Sequence, residues 1–263
     1  MNLLEKILYR IVKGSNPIFQ SLCHQHRNHL VTLDNEFPSL LHNGYRHLDE
    51  ATKLINKYNI QHYPILDVGA SIGDTLSYLS PLLPNSVFHC FEPTSQSFLH
   101  LQSLAKKYPK CKVYQKACGA QPGKAIIYLN SRTSSSSLLP TNVTNADDYL
   151  QQSLNTHDSE EIEVTTLDTL FQQEKVVALL KLDVQGFELE VLKGAVKVLK
   201  NTAIVVTEMN NHDYYNGACK YYEVDEFIRQ NGLTFFRHFP TIRENGQVVE
   251  WDNIYINPNI IKP

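Results

Sequence analysis

The 263-residue chain has no stretch approaching the roughly 20 consecutive apolar residues that a membrane span needs, so no transmembrane segment is expected. Signal-peptide character is missing too: in "MNLLEKILYRIVKG" the residues Glu5, Lys6 and Arg10 interrupt any apolar core. Cysteines are few and scattered. Cys23, Cys90, Cys111, Cys118 and Cys219 are odd in number and form no CxxC pair, which argues against a disulfide framework and against a zinc ribbon. A reducing cytoplasm is the simplest compartment for such a chain. A large excess of charge of one sign is also missing: the formal net charge is −3, so the basic surface of a generic nucleic-acid binder is not expected.

What is present describes a globular chain long enough to bury a core, with 42% hydrophobic and 19% charged residues. Leu3, Leu4, Ile7, Leu8 and Ile11 fall at helical spacing, and "HLDEATKLINKYNI" repeats the pattern. Residues 1–60 are therefore expected to form an N-terminal helical cap, with a membrane-surface or partner helix as the alternative. Within them Cys23, His26 and His29 stand three apart. With no second ligand pair at a recognisable spacing, they read as polar surface groups, and no metal is expected here or elsewhere.

From Tyr63 onward short apolar runs alternate with helical patterns: "YPILDVGA", "DTLSYLSPLL", "SVFHCFEP", "SQSFLHLQSLAKKY", "CKVYQKACG", and later "VVALLKLDV", "FELEVLKGAVKVLK" and "TAIVVTEM". Strands that are apolar throughout, separated by helices, predict a doubly wound, mostly parallel α/β sheet over 61–263, covered on both faces. Residues 120–165 interrupt the alternation with a hairpin strand, "KAIIYLN", and the polar run "SRTSSSSLLP". That run suits a flexible linker or a loop closing over a ligand, and its place inside the alternation favours a lid.

In open α/β sheets ligands bind at the carboxyl ends of the strands, where strand order reverses. The first strand ends in "ILDVGASIGD", and Gly69 and Gly73 would let a ligand approach the backbone there. The spacing is not G-x-G-x-x-G, which weakens the pyrophosphate reading and with it an NAD-dependent oxidoreductase. Asp67 precedes the turn and would welcome an amino group where it would repel a phosphate. Glu92, 19 residues after Gly73, closes the next strand, where an acid accepts hydrogen bonds from a ribose diol. A nucleoside joined to an amino acid fits all three features, and S-adenosylmethionine is such a molecule.

These segments carry a resemblance. "ILDVGASIGDT", "FEPTSQSFLHL", "ACGAQPGKAIIYLNSRTSSSSL", "VTTLDTL", "LLKLDVQGFELEVLKGA", "VVTEMN" and "WDNIYI" together resemble the FkbM-type methyltransferases of the class I fold, from about Ile65 to Tyr255. The resemblance implies a seven-stranded Rossmann-like sheet of order three-two-one-four-five-seven-six, with the seventh strand antiparallel. It also implies S-adenosylmethionine as cofactor and O-methylation of a sugar or natural-product hydroxyl. Asp67, Gly69, Ala70, Ser71 and Gly73 would form the methionine-side pocket, Glu92 with Pro93 the ribose contact, and Ala117 with Cys118 the adenine edge. Ser71 stands where many relatives have asparagine, and Gln185 where many have glutamate.

In "LLKLDVQG" the alternation of a strand turns Lys181 and Asp183 to one face. Asp183 reaches the crevice, either orienting the site and touching cofactor or moving a proton. Removal of a hydroxyl proton needs a base, for which Asp183, Glu208 and His212 are the candidates. Glu208 has pairing with Lys181 as its alternative role, and His212 the role of an exposed loop histidine. The helix "GFELEVLKGAVKVLKN" would bury Phe187, Val191, Leu192, Ala195 and Leu199, show Glu188, Lys193 and Lys197 to water, and need Gly194 for close packing. A catalytically silent, methyltransferase-like binding module remains the rival from another class. The acceptor's identity and any homo-oligomer are left open.

Overall fold

The computed structural model describes residues 45–144, 148–211, 213–242 and 248–262. Cys23, His26, His29, His212 and most of the expected cap lie outside the described residues. The chain divides between Asp49 and Glu50, and both sheets belong to the second unit, Glu50–Pro263. The second helical stretch forms helix α1, Arg46–Lys57, whose buried Leu48, Ala51, Leu54 and Ile55 recur at helical spacing.

The main sheet has seven strands: β1 Ile65–Val68, β2 Phe88–Phe91, β3 Cys111–Tyr114, β7 Val177–Leu182, β8 Thr202–Asn210, β9 Thr234–Ile242 and β10 Val248–Ile256. Their order is β3-β2-β1-β7-β8-β10-β9. Five strands pair in parallel, and β10 runs antiparallel to both neighbours. Counted within this sheet, that is the implied order with its reversed seventh strand. Every residue of β1, β2 and β7 is buried, as parallel strands covered on both faces must be. Strand order reverses between β1 and β7, so the carboxyl ends of those two strands flank a crevice.

Helices α2 Asp74–Leu79 and α3 Ser95–Ala105 follow β1 and β2. After β7 come α6 Glu188–Lys193 and α7 Val196–Lys200, and after β8 comes α8 Tyr221–Gln230. Leu66, Leu182, Val191, Leu192, Leu199 and Val205 share one buried cluster that joins the sheet to α6 and α7. Two details correct the expected helix. It breaks at Gly194 into α6 and α7, and glycine is required at the break because a Cβ there would stand 2.0 Å from the Gly119 carbonyl oxygen. Glu188 does not face water but is buried, accepting hydrogen bonds from the backbone N–H groups of Val184 and Gly186 at 3.1 and 3.3 Å.

Residues 120–165 build most of a separate sheet of order β4-β6-β5, with β4 Ala117–Cys118, β5 Gly123–Asn130 and β6 Thr156–Thr165. The expected hairpin strand is β5, and its antiparallel partner β6 is not foreshadowed by any pattern in the sequence. Short helices α4, Asp148–Ser153, and α5, Leu167–Phe171, flank β6. A carboxylate oxygen of Glu160 accepts the Ser95 N–H at 2.8 Å, fastening β6 to the start of α3.

Candidate functional site

The turn after β1 is built from three left-handed residues, Gly69 (φ 82°), Ser71 (φ 47°) and Gly73 (φ 96°). The glycines are needed for a reason other than ligand approach. A Cβ at Gly69 would lie 1.9 Å from the Asp183 carbonyl oxygen, and one at Gly73 2.5 Å from Leu104 of α3. Close passage of protein against protein, together with the positive φ, fixes both positions. The turn then delivers the Ser71 N–H to Glu92 Oε2 at 2.9 Å. Glu92 Oε1 accepts from the Thr94 N–H at 2.8 Å and the Thr94 hydroxyl at 2.5 Å. Burial raises the Glu92 carboxyl against these donors, which favour its charged form. The carboxylate is thus held at the end of β2 with lone pairs to spare for further donors.

A row of charged groups crosses the carboxyl ends of the central strands. Asp67 on β1 is paired in register with Lys181 on β7, and Glu208 on β8 with Asp252 on β10. Lys181 Nζ donates to Asp183 Oδ2 at 3.1 Å. Burial alone would lower the lysine, but Asp183 and Asp67 outweigh it and hold the ammonium charged. Burial likewise opposes ionisation of Asp183, and Lys181 overcomes it, so Asp183 stays below the usual aspartate range. Asp67 is 0% exposed, and among the described residues neither of its carboxylate oxygens has a hydrogen-bond partner. Burial pushes it up to about 6, against the pull of Lys181.

Gln185 joins this row from the loop after β7. Its Nε2 donates to Asp183 Oδ1 at 2.9 Å and to Glu208 Oε2 at 2.8 Å. Glu208 is raised well above the glutamate range by burial and by the neighbouring Asp183. The buried Tyr215 hydroxyl lies 3.0 Å from Gln185 Oε1 and 2.7 Å from the Ser135 carbonyl oxygen, with one proton to donate to either.

A cleft of about 530 Å³, counting its open mouth, runs along these ends. Of the expected site residues it brings together Gly69, Ser71, Glu92, Pro93, Ala117, Cys118 and Asp183. Asp67, Ala70, Gly73, Lys181 and Glu208 stand outside its lining. Ala70 is buried and gives its N–H to the Phe91 carbonyl at 2.9 Å, which makes it part of the scaffold of the turn. Glu208 is joined to Gln185, and Lys181 pairs with Asp183 instead of with Glu208.

The opposite wall comes from the serine run, through Thr133, Ser134, Ser136, Ser137 and Leu138. Hydrogen bonds pin that run on several sides. Asn130 Nδ2 donates to the Ser135 carbonyl at 2.6 Å, and the backbones of Tyr128 and Ser137 pair at 2.8 and 3.3 Å. The Ser137 hydroxyl donates to the Gln185 carbonyl at 2.8 Å. Thr94, Ser137, Gln185 and Tyr215 are site residues that sequence reasoning does not single out for a role. Only Gln185 carries a signal, its departure from the acid common in the family.

No curated protein matches the chain. Among solved structures it is similar to magnesium protoporphyrin IX methyltransferase from Synechocystis PCC 6803 with bound S-adenosylmethionine (11% identity, TM-score 0.45, 97% of this chain and 92% of that one). A second is 1,6-didemethyltoxoflavin-N1-methyltransferase from Burkholderia thailandensis, with its substrate and S-adenosylhomocysteine (10% identity, TM-score 0.44, 88% and 89%). A third is a TehB-like S-adenosylmethionine-dependent methyltransferase from Corynebacterium glutamicum ATCC 13032 Kitasato (11% identity, TM-score 0.42, 92% and 100%). Likeness at this level carries no argument about chemistry, and the assignment rests on the family match. The family described as the methyltransferase FkbM domain matches residues 67–235, from the buried aspartate of β1 into β9, a span that holds every lining residue of the cleft, and the chain belongs to that family.

Proposed function

We propose that this methyltransferase moves a methyl group from S-adenosylmethionine to a hydroxyl oxygen of a sugar or natural-product acceptor, with Asp183 receiving the hydroxyl proton. The observation that carries the reading is one cleft lined by two acidic side chains in different settings. Glu92 is fixed at the close of β2 by Ser71 and Thr94, and Asp183 is kept ionised by Lys181.

The residues suit the cofactor. Glu92 would accept hydrogen bonds from the ribose hydroxyls, and its existing bonds to Ser71 and Thr94 orient it for that contact. Ala117 and Cys118 offer a buried, apolar edge for the flat adenine ring, with Ile127 and Leu138 behind it. The unpartnered, buried carboxylate of Asp67 supplies negative potential behind the turn, where a cationic amino-acid group would rest. When bound, S-adenosylmethionine supplies a methyl group on a sulfonium centre, open to in-line displacement. The work left to the chain is alignment and proton removal.

Asp183 suits proton removal because it lines the cleft and is ionised. Burial and Asp183 disfavour the charged form of Glu208, which stands outside the cleft lining, so in this reading it supports Asp183 and is not the first acceptor. Calorimetric titration tests the cofactor end. S-adenosylmethionine should bind saturably and NAD should not, and Glu92→Ala should weaken binding by about 1–3 kcal/mol. Unchanged binding in that variant would remove the ribose assignment. Transfer of labelled methyl to a panel of glycosides and polyols tests the acceptor end. Asp183→Asn should lower turnover about 100-fold or more with cofactor affinity retained, and Glu208→Gln should cost far less. The opposite ranking would make Glu208 the base.

A further inference from the structure

Gln185 is held in a conformation that its own backbone disfavours. Its φ of 55° lies in the left-handed region, which a residue with a side chain of this type rarely enters. Three loops meet to hold it there. Its amide nitrogen spends one hydrogen on Asp183 and the other on Glu208. Its amide oxygen faces the Tyr215 hydroxyl, and its backbone carbonyl accepts the Ser137 hydroxyl. The loop carrying Tyr215 is itself zipped to the far end of the serine run, with the Asn142 N–H on the Tyr214 carbonyl at 2.7 Å and the Asn216 N–H on the Pro140 carbonyl at 2.8 Å. The side chain has no hydrogen-bonding capacity left over on its nitrogen, and it lines the cleft beside Asp183.

We propose that Gln185 is a positioning residue: its amide group holds the carboxyl groups of Asp183 and Glu208 as one unit and locks that unit to the serine wall of the cleft through Tyr215 and Ser137. The inference rests on the reading of Asp183 as the proton acceptor, and it explains why glutamine stands here. A glutamate at 185 would have the same shape, but it would offer no N–H groups and would add a third carboxylate between two others. The lock also has a consequence for assembly of the site. A shift of the serine wall, Asp183 or Glu208 relative to the other two would break a hydrogen bond at Gln185.

The sign of the effect follows from which form the amide favours. Both N–H groups donate to carboxylate oxygens and so favour the charged forms, which lowers the titration midpoints of Asp183 and Glu208. Among the described residues the other charged or titratable groups bearing on Glu208 and its partners include Lys181 from β7, Asp67 from β1, Glu188 from α6, Glu250 and Asp252 from β10, Arg132 from the serine run, and Tyr215. All of these charged groups remain in the variants that test the lock.

The experiment is a pH titration of the side-chain carboxyl carbons by NMR in protein labelled at Asp and Glu, with Glu208→Gln used for assignment. Gln185→Met keeps the volume and neutrality but removes both donors, and Gln185→Glu keeps the shape. Each should move the Glu208 midpoint up by about one pH unit, the glutamate variant further. Tyr215→Phe leaves Gln185 in place and removes only the hydroxyl that orients its amide. It should move the midpoint in the same direction, and it answers the question if either Gln185 variant fails to fold. An unmoved midpoint in folded variants overturns the proposal, since a merely space-filling residue would leave carboxyl titration alone. Calorimetry with S-adenosylmethionine on the same samples judges the cofactor reading separately: failure of wild type to bind would remove that reading, while the midpoints still decide the lock.

Discussion

Asp67 shows how a single side chain ties function to stability. Its folded-state pKa of about 6 stands above the ordinary aspartate value of 3.8 because burial disfavours the charge. The native state therefore holds this proton more tightly than the unfolded state does. The contribution of Asp67 to stability is fully present below pH 4 and is lost as pH rises through 6. By neutral pH this linkage has removed about 3 kcal/mol of the stability that protonated Asp67 contributes at low pH. Asp67→Asn keeps the shape without the charge. Denaturant unfolding at a series of pH values should show the variant gaining about 3 kcal/mol on wild type between pH 4 and pH 7. A pH-independent difference would mean that Lys181 neutralises Asp67 in full. Retention of so costly a residue suits a negative potential used by a bound cation.

At the scale of elements, the α6–α7 break and the serine run illustrate two kinds of constraint. Gly194 sits where the chain passes Gly119 so closely that no Cβ fits, while Gly123, at the start of β5, has nothing within 4 Å of its virtual Cβ. Gly194→Ala should therefore destabilise by about 3 kcal/mol through overpacking against backbone. Gly123→Ala should be neutral or slightly stabilising, since it only restricts the unfolded chain. Urea midpoints of the two variants measure the contrast, and equal midpoints would mean that α7 simply shifts away. The serine run is a constraint of another sort. Its composition suggests freedom, yet β5, Tyr215 and Gln185 consume its backbone and hydroxyl groups. Serine is useful there because its short hydroxyl bonds to nearby backbone as readily as to water.

For the whole molecule, the proposed cofactor gives a linkage test. A ligand that binds only the native state at 100 times its dissociation constant adds about 2.7 kcal/mol, which for a unit of this size raises Tm by roughly 5–10 °C. S-adenosylmethionine should produce that shift and NAD none, by differential scanning fluorimetry. An equal shift with NAD would point back to an oxidoreductase.

Much of the architecture is legible in the amino-acid sequence. The apolar runs of β1, β2, β7 and β8 announce a buried parallel sheet, because strands covered on both faces cannot alternate. Strand order comes only from family resemblance, since periodicity does not record which strands are neighbours. The ribbon strand β6 escapes detection because most of its "THDSEEIEVT" residues are exposed, leaving no hydrophobic pattern to find. Glu188 is misplaced by helical spacing for a related reason: the spacing puts it on a wet face, but the loop before α6 folds back and covers it.

The division between the two levels is physical. Sequence alone determined what depends on near neighbours along the chain: the sheet class, the glycine turn after β1, the carboxylate that closes β2, and the shared face of Lys181 and Asp183. Tertiary structure alone decided what depends on distant segments meeting: that Asp183 and Leu104 leave no room for a side chain at Gly69 and Gly73, that the serine run walls the cleft, and that Gln185 binds two carboxyl groups at once. Hydrogen bonds between residues 48 or 80 positions apart leave no trace in local pattern, because their geometry exists only once the chain has folded.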